Sequence, residues 1–233
     1  LLECLREMSA MSTPNPKREL FGHIAELART LGHAHRLELL EHLGQGERSV
    51  EALSQRTGLT LANASQHLQS LRRCGLVRSR RDGKRIIYSL TEGPLLDALA
   101  GLHRLAERNM AEVREIIATY FDRRDELDPI SRDELMKRLR DGSVVLLDVR
   151  PQDEFSLGHL PGALNAPLAD LERQLSDLPP DREIVAYCRG PYCVLAFEAV
   201  ATLRDRGLKA RRLEGGYPEW RAAGLPIEMA SDC

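Results

Sequence analysis

Apolar residues recur at helical spacing over Lys17–Leu31, at Leu20, Ile24, Leu27 and Leu31. The spacing returns over His35–Leu43 with Leu37, Leu39, Leu40 and Leu43, and stops at Gly44. Ser49 stands where it caps a short helix ending at Thr57, and Gly58 ends it. Thr60 is the predicted cap of a further helix running to Cys74 before Gly75, with Leu61, Ala64, Leu68 and Leu71 expected to face inward. The period then changes. Leu76–Arg80 and Ile86–Leu90 read as strands joined by Arg81-Asp82-Gly83-Lys84, and Asp-Gly between strands is a strong hairpin signal. Pro94–Phe121 reads as one long helix carrying Leu95, Leu96, Leu99, Leu102, Leu105, Val113, Ile116 and Ile117.

The second half has a different texture. Ser131 followed by Glu134 is a capping-box pattern opening a helix. Val144–Val149, Ile184–Tyr187 and Ala210–Leu213 are continuous apolar runs, as in strands buried on both faces. A helix is predicted from Cys193 to Arg206. Strands alternating with helices indicate a parallel α/β sheet. Between the halves, Asp122–Pro129 is charged and has little to bury. The predicted organisation is an N-terminal extension (1–16), a mainly α domain with a hairpin (17–121), a linker (122–128) and an α/β domain (129–233).

Charge refines this picture. The 233 residues carry a net charge of −2, but residues 1–127 hold 19 Lys and Arg against 17 Asp and Glu, whereas the remainder holds 14 against 18. Arg72–Arg85 alone contains seven basic residues and one acid, which points to a directed anionic partner. No apolar run approaches the ~18 residues of a membrane span. The acidic N-terminus lacks the flank of an export signal, so a cytoplasmic location without membrane contact is expected. The five cysteines (Cys4, Cys74, Cys188, Cys193 and Cys233) form no disulfide framework, and no metal-ligand spacing or cofactor motif is found.

Helix, short turn, helix and basic hairpin together make a winged helix-turn-helix, a fold that lays its second helix in the DNA major groove. On the helix after Thr60, the polar positions are Thr60, Asn63, Ser65, Gln66, His67 and Gln69. The hairpin adds Arg78, Arg80, Arg81, Lys84 and Arg85 for phosphates or the minor groove. A solvated polar face accounts for each part alone, but poorly for all of them together.

These residues resemble the arsenic-repressor (ArsR) family of bacterial regulators over about residues 17–121. The resemblance is carried by Arg36-Leu37-Glu38-Leu39-Leu40, Gly46-Glu47-Arg48-Ser49-Val50, Ser65-Gln66-His67-Leu68, Leu71-Arg72-Arg73-Cys74-Gly75-Leu76-Val77 and Arg80-Arg81-Asp82-Gly83-Lys84. It implies a homodimer built through the first and last helices, a pseudo-palindromic double-stranded operator, and repression relieved by an inducer. The family's inducer sites are not matched. Ser49 and Glu51 stand where its arsenic-binding cysteines lie, and Asp97, His103 and Glu107 have the wrong spacing for its zinc site. Glu41 occupies the region of the first cysteine of persulfide-sensing members, whose second has no counterpart on the last helix. Cys74 reads as a small packing residue.

Tyr187-Cys188-Arg189-Gly190-Pro191-Tyr192-Cys193-Val194 follows an apolar strand and precedes a helix, where an α/β sheet places its ligand. Loop N–H groups and a helix N-terminus favour a thiolate, so Cys188 is the expected reactive thiol, with Arg189 adding charge and Gly190 allowing close approach. Cys193 has two readings: a small residue that starts the helix, or a thiol that resolves a persulfide on Cys188.

Around the loop stand Leu147-Asp148-Val149-Arg150, Glu154-Phe155, Gly158-His159-Leu160-Pro161-Gly162-Ala163-Leu164-Asn165-Ala166-Pro167 and Leu213-Glu214-Gly215-Gly216-Tyr217-Pro218-Glu219-Trp220, then Ala223-Gly224-Leu225-Pro226. Together they resemble a rhodanese, or thiosulfate sulfurtransferase-like, domain over about residues 129–228. The resemblance implies a persulfide on Cys188, structural roles for Asp148 and Arg150, and a loop-ordering role for His159. Related phosphatases and arsenate reductases have a longer loop ending in Arg. Val194 at that point argues against phosphate or arsenate.

The combined expectation is a DNA-binding regulator with a mainly α winged helix-turn-helix followed by a rhodanese-like α/β parallel sheet, needing no cofactor and no metal. It would handle or sense reactive sulfur from thiosulfate, polysulfide or a low-molecular-weight persulfide. The alternatives are a sulfurtransferase tethered to DNA and a thiol-based arsenic-responsive regulator.

Overall fold

A computed structural model describes residues 15–120, 129–174, 179, 181–190 and 193–229. The expected linker 122–128, most of the N-terminal extension, Cys4 and Cys233 lie outside the described residues. The chain forms two compact units, one of residues up to Leu40 with Ser49–Tyr88, the other of Glu41–Arg48 with Ser89 onward.

The elements begin with α1 (Pro16–Leu31), where Asn15 Oδ1 accepts from Lys17 N and Arg18 N at 3.1 and 3.3 Å and Pro16 starts the helix. Next come α2 (Ala34–Gly44), β1 (Arg48–Ser49), α3 (Val50–Thr57) and α4 (Leu61–Arg73). Ser49 Oγ caps α3 through Ala52 N at 3.2 Å, and Thr60 Oγ1 caps α4 through Asn63 N at 3.3 Å. Gly58, at φ 67°, supplies the left-handed residue that lets the chain turn from α3 toward α4. The hairpin is β2 (Val77–Asp82) and β3 (Arg85–Leu90), and β1 adds a third strand in the order β1-β3-β2. Leu39, Leu40, Leu53, Ala64, Leu68, Leu71, Val77 and Tyr88 are buried in the first unit.

Three details differ from the sequence reading. Leu61 is exposed, because the buried stripe of α4 begins one turn later at Ala64. The sheet has β1, too short at two residues to show a period. The expected long helix is two, α5 (Leu95–Asn109) and α6 (Ala111–Tyr120), broken at Met110, whose backbone is extended. Arg114 serves the carbonyls that the break leaves at the end of α5: its Nη1 donates to Glu107 O and Arg108 O at 3.1 and 2.8 Å.

The second unit continues with α7 (Arg132–Arg140), β4 (Val144–Asp148), α8 (Gln152–Leu157), β5 (Leu164–Asn165), α9 (Leu171–Gln174), β6 (Glu183–Cys188), α10 (Val194–Asp205), β7 (Ala210–Gly216) and α11 (Tyr217–Ala222). Ser131 Oγ accepts from Glu134 N at 3.3 Å, but the Glu134 carboxylate goes to Arg138 and Arg211, so the capping box is half formed. The sheet is parallel in the order β5-β4-β6-β7, with Leu147 opposite Ala186 and Ile184 opposite Ala210. Side chains alternate across it. Ile184, Ala186 and Cys188 join the cluster that holds Ala196, Ala199, Val200 and Leu203 of α10. Val185 and Tyr187 join the opposite cluster, with Leu135, Leu160, Tyr217 and Trp220. This alternation aims the last side chain of β6, Cys188, into the core beside α10.

Candidate active site and nucleic-acid face

β6 delivers Cys188 at its end, and Cys193 is the residue before the first turn of α10. Cys193 N donates to Gly190 O at 3.2 Å, closing a tight loop. Pro191 and Tyr192 lie outside the described residues. Cys188 is only 1% exposed, whereas Cys193 is half-buried. The Cys188 thiol points at the loop's own carbonyls, with Sγ 3.5 Å from Cys193 O and 3.9 Å from Gly190 O. Gly216 lies against this loop. A Cβ there would stand 2.4 Å from Cys188 O and 2.5 Å from Gly190 N, so only glycine fits.

The two thiols differ in acidity in the direction opposite to the sequence expectation. Burial pushes Cys188 well above the ordinary thiol range, and its hydrogen bond with Cys193 adds to this. Cys193 is pulled from 9.0 to about 7, first by the hydrogen bond from Cys188, then by the N–H groups of Arg189 and Leu195 and the Arg189 charge, against the effect of burial. Of the two thiols, Cys193 is the one whose surroundings favour the charged form. Burial of Cys188 by the strand alternation outweighs the Gly190 and Ala196 N–H groups that favour its charged form, and Cys193 at the helix start is the less buried of the two.

The loop rests on ion pairs. Arg189 Nε lies 2.9 Å from Glu154 Oε2, and its Nη2 lies 2.8 Å from Oε1. Glu154 is fully buried on α8, and Arg48 Nη2 approaches it at 3.5 Å while its Nη1 pairs with Asp153 at 2.8 Å. Arg150 and Asp148 are fully buried too. Arg150 Nη2 donates to Asp148 Oδ2 at 2.6 Å and to Gly158 O at 2.7 Å, and its Nε bridges both Asp148 oxygens. The guanidinium lies 4.3 Å from the Tyr217 ring centre. Gln45 spans this network: its Oε1 accepts from Arg150 Nη1 at 3.2 Å and its Nε2 donates to Arg189 O at 3.2 Å. His159 stacks on Phe155 with ring centres 3.7 Å apart, its Nδ1 is 3.0 Å from Phe155 O, and its backbone pairs with Glu228. Its backbone N donates to Glu228 O at 2.8 Å, tying the segment after Gly158 to the chain near Glu228.

On α4, Thr60, Asn63, Gln66 and Gln69 are exposed, and Ser65 and His67 are half-buried. Gln69 Nε2 donates to Ser65 Oγ at 3.4 Å. The His67 ring lies against His33 and His35, with centres 4.4 and 5.8 Å away. Burial, then the neighbouring His33, Arg36 and His35, lower its pKa, so it is a neutral hydrogen-bonding group. Arg78, Arg80, Arg81, Lys84 and Arg85 are all exposed on the hairpin. Arg81 Nε donates to Gly83 O at 3.1 Å, and Arg80 is 3.4 Å from Asp82.

Sequence reasoning gave no role to Glu154, Gln45 or Arg48. Glu154 appeared only within a quoted signature, and nothing in Gln152-Asp153-Glu154-Phe155 marks which acid is buried. Gln45 sits after a helix-ending Gly44, where a loop polar residue is unremarkable in sequence. No helix among the described residues is long and apolar enough to cross a membrane.

Comparison with known proteins finds two families along the chain. The Rhodanese-like domain family matches residues 131–223, and a Helix-turn-helix domain family matches residues 31–80. An HTH-type transcriptional regulator from Mycobacterium tuberculosis is 42% identical over 91% of the chain and 93% of its own length. A sulfurtransferase from Allochromatium vinosum is 34% identical over 43% of the chain and 94% of its length. Among solved structures, a homodimeric winged helix-turn-helix DNA-binding domain from Mycobacterium bovis is 33% identical, covering 43% of the chain and 94% of that domain, with a TM-score of 0.40. The chain belongs to the ArsR-type helix-turn-helix transcriptional regulators, and it carries a C-terminal rhodanese-like domain.

Proposed function

We propose that this regulator is a cytoplasmic homodimer that represses from a double-stranded operator and responds to reactive sulfur through its rhodanese-like loop. The observation that carries the reading is the pair of free thiols, Cys188 and Cys193, at the two ends of that loop, in a chain whose other unit is a DNA reader. In that reader, Cys74 Sγ is 3.0 Å from Thr30 Oγ1, in a packing position.

The DNA face is α4 with the exposed arginines and lysine of the hairpin. Asn63, Gln66 and Gln69 have the donor and acceptor pairs that read base edges, and the cations meet phosphates. α1 leaves Leu20, Phe21, Ile24 and Leu27 exposed, and α5 leaves Leu102 and Leu105 exposed. A second copy of the chain would cover such stripes. Arg189 commits its guanidinium to Glu154, which favours a low-molecular-weight persulfide over dianionic thiosulfate or polysulfide as donor.

Fluorescence anisotropy tests the reading, with wild type and Cys188→Ser titrated onto DNA from the protein's own upstream region, each with and without prior treatment by a small persulfide. Loss of binding in treated wild type alone is expected. Equal binding in all four samples would overturn the regulatory reading and favour the alternative, a sulfurtransferase tethered to DNA. The likeness to the Allochromatium enzyme supports that alternative.

A further inference from the structure

We propose that Arg48 and Arg189 compete for the buried carboxylate of Glu154, and that a persulfide anion on Cys188 draws Arg189 off, so that Glu154 turns to Arg48 and passes the state of the loop to the helix-turn-helix segment. The proposal rests on the sulfur-responsive reading above and assigns the relay that reading needs.

The contest lies within the second unit. Residues Glu41–Arg48 belong to it, although the chain on either side of them belongs to the first. Glu154 has no exposure, and Arg48 is buried as well. The two cations do not share the carboxylate equally. Arg189 holds it with two prongs at 2.9 and 2.8 Å, whereas Arg48 Nη2 stands 3.5 Å from Oε1. Arg48 Nη1 pairs instead with the exposed Asp153 at 2.8 Å. Among the described residues, Arg48 Nε and Nη2 are buried and make no hydrogen bond. Buried charged nitrogens left this way are destabilising. The arrangement seen serves Arg189 and leaves Arg48 half served. Moving Glu154 to Arg48 reverses the two roles. A new anion that binds Arg189 shifts the balance to the second arrangement, because it is held only there.

The loop supplies that anion. Cys188 attacks the outer sulfur of a low-molecular-weight persulfide, RSSH. The donor S–S bond breaks, and RSH leaves with the thiol proton, so no oxidant or reductant is required. The product, Cys188–S–SH, is more acidic than a thiol and releases its proton to solvent. Arg189 is the next residue. Burial disfavours its charge, while Glu154 favours it, as do Cys193 and Cys188 when they are charged. Gln45 Nε2 donates to Arg189 O at 3.2 Å, which holds the peptide while the guanidinium turns.

Arg48 carries the result onward through the chain itself. With Ser49 it forms β1, the strand beside β3 of the basic hairpin, and Ser49 Oγ caps α3 through Ala52 N. A shift of Arg48 therefore acts on the cap of the helix that precedes α4.

The test loads the full-length protein with glutathione persulfide and measures sulfur on Cys188 by alkylation and peptide mass mapping. Fluorescence anisotropy on DNA from the protein's own upstream region then gives operator affinity. Wild type is expected to lose about tenfold or more in affinity on loading. Arg48→Met keeps the length of the stem without the charge. It is expected to bind the operator like wild type before loading, to load Cys188 to the same extent, and to keep its affinity afterwards. Hydrogen exchange of wild type alone, which needs no variant to fold, is expected to change over residues 48–57 by about threefold or more on loading. Release of loaded, folded Arg48→Met from the operator as in wild type would overturn the relay and leave the sulfur-responsive reading standing. Unchanged exchange over residues 48–57 in loaded wild type that releases DNA would do the same. Wild type that takes up no sulfur, or that loads and stays on DNA, would overturn both.

Discussion

Arg189 and Glu154 form a two-pronged ion pair beneath the reactive loop, at 2.8 and 2.9 Å from a carboxylate that has no exposure of its own. Removing one partner of such a pair strands the other charge. Arg189→Ala should therefore destabilise the protein by about 3 kcal/mol, less if Arg48 moves closer to Glu154. Glu154→Gln, which keeps hydrogen-bonding capacity, should cost less. Urea denaturation of the two variants measures this, and equal midpoints for Arg189→Ala and wild type would contradict it.

Asp148 and Arg150 are more deeply enclosed, and Asp148→Ala should lower stability by about 3–5 kcal/mol. The same guanidinium holds Gly158 O, so the segment leading to His159 should loosen with it. Hydrogen exchange over residues 158–165 checks the second effect.

The thiol shifts give a pH dependence with a definite sign. The folded pKa of Cys193 is depressed to about 7, so its contribution is present above the unfolded value and is lost as pH falls toward 7. The pKa of Cys188 is raised, so its contribution is present below the unfolded value and fades at higher pH. Relative to Cys193→Ala, wild type should gain stability between pH 7 and about 9. A flat difference between their denaturation midpoints over that window would refute the assignment of acidity.

Gly216→Ala should disable the loop while leaving the sheet folded, since the added carbon meets backbone at Cys188 and Gly190 rather than a movable side chain. Thiol alkylation kinetics should show loss of the rise in rate through pH 7, with circular dichroism unchanged.

On the DNA face, Arg81→Ala or Lys84→Ala should weaken binding to all sequences and reduce the salt slope by about 0.9 for each phosphate no longer neutralised. Gln66→Ala should instead change which bases are preferred. Phe21→Glu with Ile24→Glu should shift the protein toward monomer in light scattering and weaken operator binding with it.

Much of the fold was legible because its signals are local. Ser49, Thr60 and Asp82-Gly83 set helix starts and the hairpin through nearest neighbours, and the structure places them so, whereas the Asn15-Pro16 start of α1 went unread. The break at Met110 was not legible, since the residue that serves the freed carbonyls, Arg114, looks like any surface arginine on a continuing helix. The loop was visible as a strand-to-helix junction, but the difference in burial between its thiols was not. That depends on which side of the sheet the last residue of β6 faces, and the occupation of the Arg189 charge by Glu154 was equally hidden. Both are tertiary facts.

The burial of Cys188 sets a timescale as well as a chemistry. A sulfur atom held there, as proposed above, would be screened from thiols in solution until a local opening exposes it. Its lifetime would follow the rate of that opening rather than the momentary concentration of reductant. A site so arranged keeps a record of a brief exposure after the donor has gone, so it would report recent history and not only the present level.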